Sequence, residues 1–184
     1  FLQRFMNSFG EQTVAAITTA YRVDSMLLLP VINFSTAIST MTAQETGAGN
    51  HENAKKIFRT GTVMMTVISF ILAAVILLAG KTMLRMFGLT EESTAIGENF
   101  FRTIAAFYIV YGLSMGIKGY LEGRSDLLFS GIAGISALGV RIICSYLFAG
   151  IWGNMVIAYA EGISWVFLLA VFICRYIRKR KNER

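Results

Sequence analysis

Four ionisable residues interrupt long apolar stretches of this sequence and are its first candidates for chemistry. They are Arg22, Asp24, Arg141 and Glu161. Because a charge in hydrocarbon is costly, such residues pair with one another, face a water-filled cavity or mark an ion or substrate pathway. Arg22 and Asp24 are two positions apart, so they cannot face each other on one helix. Each should find its partner elsewhere, and two interpretations stay open: a functional pathway, or structural pairs between helices.

The remaining reactive residues form no catalytic or metal-binding pattern. His51 is the only histidine, and the stretch HENAK that it opens is not the HExxH zinc motif. Cys144 and Cys174 lie in separate apolar segments, where cysteines behave as small buried hydrophobes. No phosphate-binding Walker loop is present. The sequence therefore predicts a protein that is not an enzyme and holds no metal or cofactor.

The elements that must position these residues are membrane helices. Of the 184 residues, 55% are hydrophobic and 15% are charged, against about 25% charged in an average soluble domain. Residues 61–80 and 142–160 contain no charge at all, and about 20 apolar residues suffice to cross a bilayer. This composition excludes a disordered chain, a disulfide scaffold and an ordinary cytosolic enzyme. The predicted fold class is an all-α polytopic membrane protein.

The apolar segments predict five complete crossings, with a partial helix before them and a basic tail after them. Pro30, the only proline, should kink the first full crossing. Residues 81–87 are expected to form a short amphipathic piece at the membrane interface. Glu98 and Arg102 are four apart and should pair on one helix. The predicted segments are 1–9 (the last turns of a helix), 14–43, 59–79, 92–120, 127–149 and 153–176, followed by the tail 177–184.

Lysine and arginine predict the orientation of these crossings, because they concentrate in cytoplasmic loops. Of the 17 such residues, eleven fall on the side of the C-terminal tail and only Lys81 and Arg85 on the other. The tail is therefore expected in the cytoplasm, with the protein in the plasma (inner) membrane. A basic run beside a membrane helix is an ordinary topology anchor. It gives no reason to expect nucleic acid as a partner.

Several short motifs, in order along the chain, resemble the second half of the multidrug and toxic compound extrusion family (MATE). The stretch NSFGEQTVAA is similar to the family's entry motif, the triplet RVD to its R-I-D, and AQETGAGN to its A-Q-N-x-G-A-G. Further on, GYLEGRSD resembles G-x-x-R-G-x-x-D, and VRI resembles V-R-I-P. The matching residues outside the four ionisable positions are Asn7, Gly10, Pro30, Gln44, Gly47, Gly49, Gly119 and Gly123.

The resemblance implies a fold and a place within it. Members have twelve transmembrane helices in two six-helix lobes, so this chain would cover the end of helix seven through helix twelve. The sequence departs from the family pattern at Glu45, where asparagine is usual, at Glu122, where arginine is common, and at Ile143, where proline is usual. Tyr111 stands where some sodium-coupled members carry an acid on helix ten.

The resemblance also implies a function: multidrug efflux by antiport coupled to H⁺ or Na⁺, with this chain as the C-terminal lobe. Its partners would be the missing N-terminal lobe, membrane lipids and amphiphilic, cationic small molecules. Arg22 and Asp24 are expected to face the cavity, and Asn33 and Tyr111 to line the path. Pro30 would act as a hinge. Arg141 and Glu161 would be internal partners.

Two other functions remain open at this point. One is a lipid-linked oligosaccharide flippase of a related superfamily, which a row of cationic residues along the cavity would favour. The other is a non-transport role, such as a membrane assembly or sensor module. A membrane enzyme is a third alternative, and the sequence offers no catalytic constellation for it.

Overall fold

The computed structural model describes residues 10–182, and every regular element in that range is helical. The predicted helix end at 1–9, with Asn7, lies outside the described residues, as do 183–184 of the tail. Seven α-helices are present in the described range, and a short 3-10 turn, Gly153–Met155, joins the last two. They are α1 (Glu11–Gly47), α2 (His51–Met86), α3 (Glu91–Ala105), α4 (Tyr108–Gly123), α5 (Leu127–Leu147), α6 (Ala149–Trp152) and α7 (Val156–Asn182).

Four stretches in the described range are long and apolar enough to cross a membrane: α1, α2, α5 and residues 149–181. The helices α3 and α4 pass the same test together, although they meet at a bend of 50°. If this bent pair is one span, the count agrees with the five crossings expected from the sequence. The all-α polytopic fold class is confirmed.

The prediction of a separate interfacial piece at 81–87 is wrong, because α2 continues through it to Met86. Leu84 is fully buried there, and it packs so closely on Gly97 of α3 that a Cβ on that glycine would lie 2.8 Å from Leu84 Cδ1. Lys81 Nζ lies 3.4 Å from Glu98 Oε2. Contacts with α3 therefore hold this turn in the helix. The expected pair within α3 is confirmed, with Arg102 Nη2 donating to Glu98 Oε1 at 2.8 Å.

The helices also differ from the predicted segments at three other places. The polar stretch after Asn50 is already the first part of α2, since the helix begins at His51. The predicted segment 92–120 is broken after Ala105. The basic tail is helical as far as Asn182. In contrast, α1 runs without interruption through Pro30, so bending at that residue stays a prediction.

Helices α1, α2 and α4 pack against one another and form the centre of the bundle. The contact is close because α4 presents glycines to both neighbours, as small residues allow in membrane helices. A Cβ on Gly123 would lie 2.5 Å from the backbone oxygen of Ser39 in α1. A Cβ on Gly112 would collide with Ser69 of α2. These glycines therefore allow the backbones of α1, α2 and α4 to approach closely.

Gly119 gives the sharpest test of this packing. A Cβ there would run into the backbone oxygen of Ser35, whose hydroxyl donates to Met115 O at 2.7 Å. We expect Gly119→Ala to force α1 and α4 apart and to lower the free energy of unfolding by about 1–3 kcal/mol. Thermal unfolding in detergent measures this change. Gly116→Ala is the matched control, since its Cβ would meet nothing closer than 3.6 Å, and equal stability of both variants would contradict the prediction.

Helix α5 is attached to the bundle mainly through α7. Its buried residues are all small: Ser130, Ala133, Ala137 and Ser145. Small buried side chains make few van der Waals contacts with neighbouring helices, and such contacts, rather than removal of apolar area from water, hold helices together in lipid. The packing of α5 is therefore weaker in apolar contact than that of α1 or α4.

A network of ion pairs fixes the beginning of α5 to the end of α7. Arg175 donates to both carboxylate oxygens of Asp126, from Nη2 at 2.7 Å and from Nε at 3.0 Å. Lys179 Nζ lies 3.3 Å from Asp126 Oδ2 and donates to Arg124 O at 2.8 Å. The hydrogen bond from Arg175 is the main reason that the pKa of Asp126 lies below its usual value. This bidentate contact fixes the loop between α4 and α5.

Candidate functional site

Four helices bring polar side chains together around a cleft of about 390 Å³. The predicted residues Asp24, Tyr111, Arg141 and Glu161 all line it, from α1, α4, α5 and α7 respectively. Both carboxylates are buried, with Asp24 3% exposed and Glu161 5% exposed. The sequence predicts partners on other helices for these residues, and the cleft is where they meet. We call this set, together with Tyr21, Tyr108 and Trp165, the polar cluster.

Asp24 is held by an aromatic hydroxyl from another helix. Tyr108, itself 1% exposed, donates its hydroxyl hydrogen to Asp24 Oδ1. Trp165 of α7 packs against the rings of Tyr108 and Tyr111, with ring centroids 6.2 Å and 4.6 Å away. The carboxylate therefore lies between a hydrogen-bond donor and an aromatic wall, in a place where water has little access.

Arg141 is the cation of the cluster and reaches two partners. It donates a hydrogen bond from Nη2 to Tyr21 Oη, and its guanidinium carbon lies 5.1 Å from the centre of that ring. Nη2 also lies 3.1 Å from Glu161 Oε2. Glu161 Oε2 and Arg141 Nε are nevertheless buried polar atoms without a hydrogen-bond partner among the described residues.

The charges of the cluster do not balance. Asp24 and Glu161 bring two negative charges when ionised, and Arg141 brings one positive charge. Buried charges are stable only when they are compensated. The ionised cluster therefore favours one further positive charge, which a proton, a monovalent cation or a cationic group of a ligand could supply. A group of three or more His, Cys, Asp or Glu side chains that could hold a metal ion does not occur within residues 10–182.

Three predicted pathway residues lie outside the cluster. Arg22, Pro30 and Asn33 are exposed on α1 and do not line the cleft. For Arg22 the reason is geometric, since residues two apart on an α-helix point about 200° away from each other. Asp24 faces the bundle, so Arg22 faces outward. Arg22 and Asp24 therefore lie on different faces of α1, and the expected place of Arg22, Pro30 and Asn33 along a cavity between two lobes stays a prediction.

The remaining family-motif residues lie at helix ends or helix contacts. Gly10 precedes α1, and the AQETGAGN stretch ends it. There the backbone N–H of Ala48 donates to Gln44 O at 3.0 Å, and Gly49 has a φ of 78°, a left-handed value that glycine adopts at no steric cost. The helix thus ends at Gly47, four residues beyond the predicted segment 14–43. Gly119 and Gly123 lie in the α1–α4 contact described above.

The sequence predicted Tyr111 but not the other aromatic members of the cluster, Tyr21, Tyr108 and Trp165. A signal for one of them was available, because Tyr21 is three residues before Asp24 and thus on the same face of a helix. Tyr108 and Tyr111 show the same spacing on α4. Nothing in the sequence connected Trp165 with these tyrosines, since that contact depends on how α7 packs against α4.

Apolar helices of membrane-crossing length that enclose buried, partly compensated charges define a helical multi-pass membrane protein. Comparison with known families makes this more specific. The family model MatE matches residues 1–147, most of the chain. The chain belongs to the MatE family.

Curated relatives agree with this assignment. Over 163 residues the chain is 27% identical to "Probable multidrug resistance protein YpnP" of Bacillus subtilis (strain 168), which covers 88% of this chain and 37% of that protein. It is 21% identical over 172 residues to "Probable multidrug resistance protein YoeA" of the same organism, covering 89% of this chain and 37% of that protein. The chain thus spans less than half the length of these relatives.

Solved structures show the same fold. The chain superposes on an outward-facing MATE family transporter of the MOP superfamily with a TM-score of 0.88, at 18% identity, over 97% of this chain and 40% of that one. An inward-facing MATE family transporter gives a TM-score of 0.87 at 17% identity, over 93% of this chain and 39% of that one. At these identities the likeness establishes the fold.

Proposed function

We propose that this chain is the C-terminal lobe of a multidrug efflux transporter driven by antiport of H⁺ or Na⁺. Family membership supports this function, as do two relatives named as probable multidrug resistance proteins. The chain covers about two fifths of the matched transporters, which fits one lobe of a two-lobe protein. The missing N-terminal lobe of the same protein would then be its main partner, and the substrates would be amphiphilic cations.

The uncompensated charge of the polar cluster is the observation that carries this proposal. One H⁺ or Na⁺ would balance Asp24, Glu161 and Arg141. A cationic drug in the cleft could supply the same charge, so drug and ion would compete for it. Binding of the ion would then lower drug affinity and favour the arrangement that releases the drug, which is a coupling free energy between two ligands. Tyr111, whose ring borders the cleft, would contact the bound species.

The proposed setting is the plasma (inner) membrane, with the C-terminus in the cytoplasm. The beginning of α2 and the ends of α4 and α7 lie at the same end of the bundle, since they surround one cleft. Lys55, Arg59, Arg124 and Lys179 belong to that end. Such an excess of basic residues is typical of the cytoplasmic side.

The flippase alternative has less support from the cluster. An anionic sugar–lipid headgroup would need several cationic side chains facing the cavity. The sequence offered only Arg22 and Arg141 for this, and Arg141 is already engaged by Glu161. A non-transport assembly role has no specific observation in its favour.

Reconstitution into vesicles tests the proposal. The full-length transporter that contains this chain should take up a cationic dye when a proton or sodium gradient is imposed, and only one of the two ions should be effective. The chain 1–184 alone should show no exchange, because a cavity between two lobes needs both. Full-length protein that moves neither drug nor ion would overturn the transport function, and exchange by 1–184 alone would overturn the two-lobe interpretation.

A further inference from the structure

A second and larger cleft, of about 880 Å³, opens where the beginning of α2 meets the ends of α4 and α7. Its rim is basic, and none of the described residues that line it is acidic. We call it the basic–aromatic cleft. The basic side chains along it are His51, Lys55, Arg59, Arg124, Lys179 and Arg180.

The floor of this cleft is an aromatic triad with one ring from each of the three helices. The ring centroid of Phe58 lies 4.6 Å from that of Tyr120 and 5.1 Å from that of Tyr176, and the two tyrosine rings are 5.9 Å apart. Aromatic side chains are enriched at the level of the lipid headgroups, where an apolar ring contacts hydrocarbon and a polar atom such as a tyrosine hydroxyl reaches water. The triad gives the cleft a rigid apolar base beneath a charged rim.

The positive charge on the rim is only partly compensated. Lys55 pairs with Glu52 at 2.8 Å, and Lys179 lies 3.3 Å from Asp126. Arg59 and Arg180 make no hydrogen bond or ion pair with any residue in the range 10–182. Two guanidinium groups therefore remain available at the cleft, one from α2 and one from α7, and guanidinium binds phosphate oxygens in a bidentate way.

The cleft continues onto an apolar strip along α2. Val63 lines the cleft and is 59% exposed, and Val67 and Phe70 follow it at helical spacing with 53% and 65% exposed. A ligand that fills the cleft can therefore extend an apolar part along this strip. A free anion would make no contact with the strip. An acidic protein segment would leave the apolar side chains of the strip uncovered.

We propose that the basic–aromatic cleft binds an anionic phospholipid of the leaflet that faces the C-terminal end of the chain. Arg59 and Arg180 hold the headgroup phosphate, the aromatic triad supports the glycerol region, and an acyl chain lies along Val63 and Val67. The lipid thereby joins α2 to α7 at a place remote from the polar cluster. The site is independent of the transported compound, so its test does not require transport.

Native mass spectrometry of the full-length transporter measures this binding, with phosphatidylglycerol compared with phosphatidylcholine at about 0.15 M salt. Phosphatidylglycerol should be retained in preference. Each basic residue near a membrane surface raises the affinity for an anionic lipid by a factor of about five. Arg59→Gln and Arg180→Gln should each weaken retention by about fivefold, and the double variant by roughly 25-fold.

Arg178→Gln is the matched control. It removes the same charge from the same helix, but Arg178 does not line the cleft and points about 200° away from Arg180. Because salt screens a charge that does not contact the headgroup, retention should then change by less than about twofold. Equal losses for Arg178→Gln and Arg180→Gln would mean a diffuse surface attraction and would overturn the site.

Two further measurements test whether the cleft binds the phosphate of a lipid or free inorganic phosphate. Addition of inorganic phosphate at about tenfold excess over the lipid should leave phosphatidylglycerol bound, because the apolar strip contributes to its affinity. Complete displacement by inorganic phosphate would show an anion site rather than a lipid site and would overturn the proposal. Equal retention of phosphatidylcholine and phosphatidylglycerol would also overturn the proposal. Size-exclusion profiles that match the unmodified protein establish that each variant is folded.

Discussion

Arg141→Met should be the most destabilising single substitution in the polar cluster, lowering the free energy of unfolding by about 3–5 kcal/mol. Methionine fills a similar volume but leaves Glu161 buried without the cation that lies 3.1 Å from it. It also removes the hydrogen bond to Tyr21. Thermal unfolding of the full-length transporter in detergent measures the loss, and a fall in the yield of folded protein would accompany it.

The control for this substitution is Arg102→Met in α3. Arg102 also pairs with a glutamate, at 2.8 Å, but its side chain is 67% exposed, and such surface pairs contribute only about 0.3–0.5 kcal/mol. Adding Glu161→Gln to Arg141→Met should restore much of the stability, because the double variant buries no uncompensated carboxylate. If Arg141→Met unfolds like the unmodified protein, or if the second change brings no recovery, the ion pair does not stabilise the bundle.

Asp24→Asn should remove the ion dependence of export. The amide has nearly the same shape as the carboxylate, and its oxygen can still accept the hydrogen bond from Tyr108. The cluster, however, loses one negative charge, so Glu161 and Arg141 then balance without an added ion. We expect dye export in vesicles to fall at least about tenfold, which corresponds to about 1.4 kcal/mol, and the remainder to be insensitive to the imposed gradient.

Two control variants separate charge from packing in this experiment. Tyr108→Phe removes the hydrogen bond to Asp24 but keeps the carboxylate, so export should weaken while its gradient dependence persists. Glu98→Gln removes a carboxylate that pairs with Lys81 and Arg102 outside the cluster, and export should stay at the unmodified level. If Asp24→Asn retained full export with its original gradient dependence, Asp24 would be a structural residue only.

The sequence predicted the crossings well because their signal is local. Charge-free runs such as 61–80 and the basic residues between them mark helices without any knowledge of packing. The sequence did not predict the break after Ala105, since no proline or glycine is present there. Phe107, at the break, packs its ring so closely on Gly162 of α7 that a Cβ on this glycine would collide with the ring. The bend therefore accompanies a tertiary contact that a single sequence does not display.

The polar cluster was predicted in part for a similar reason. Asp24, Arg141 and Glu161 are conspicuous in an apolar sequence because charges there are rare. Tyr108 and Trp165 are two among many aromatic residues, as the chain has 14 Phe, 7 Tyr and 2 Trp, and nothing local distinguishes them. Arg22 was conspicuous too, but the helical phase that buries Asp24 turns it outward. The rarity of charged residues in apolar segments identifies candidate site residues. The packing of the helices decides which of these side chains meet.

The small buried side chains of α5 have a consequence for how the bundle could move. This helix contributes Arg141 to the cluster, and its beginning is joined to Asp126, which Arg175 and Lys179 hold. Between these two polar attachments its buried side chains are only alanine and serine, so few van der Waals contacts oppose its displacement. A change of one charge beside Arg141 therefore acts on a weakly packed helix, and the electrostatic work done there should move α5 more readily than α1 or α4.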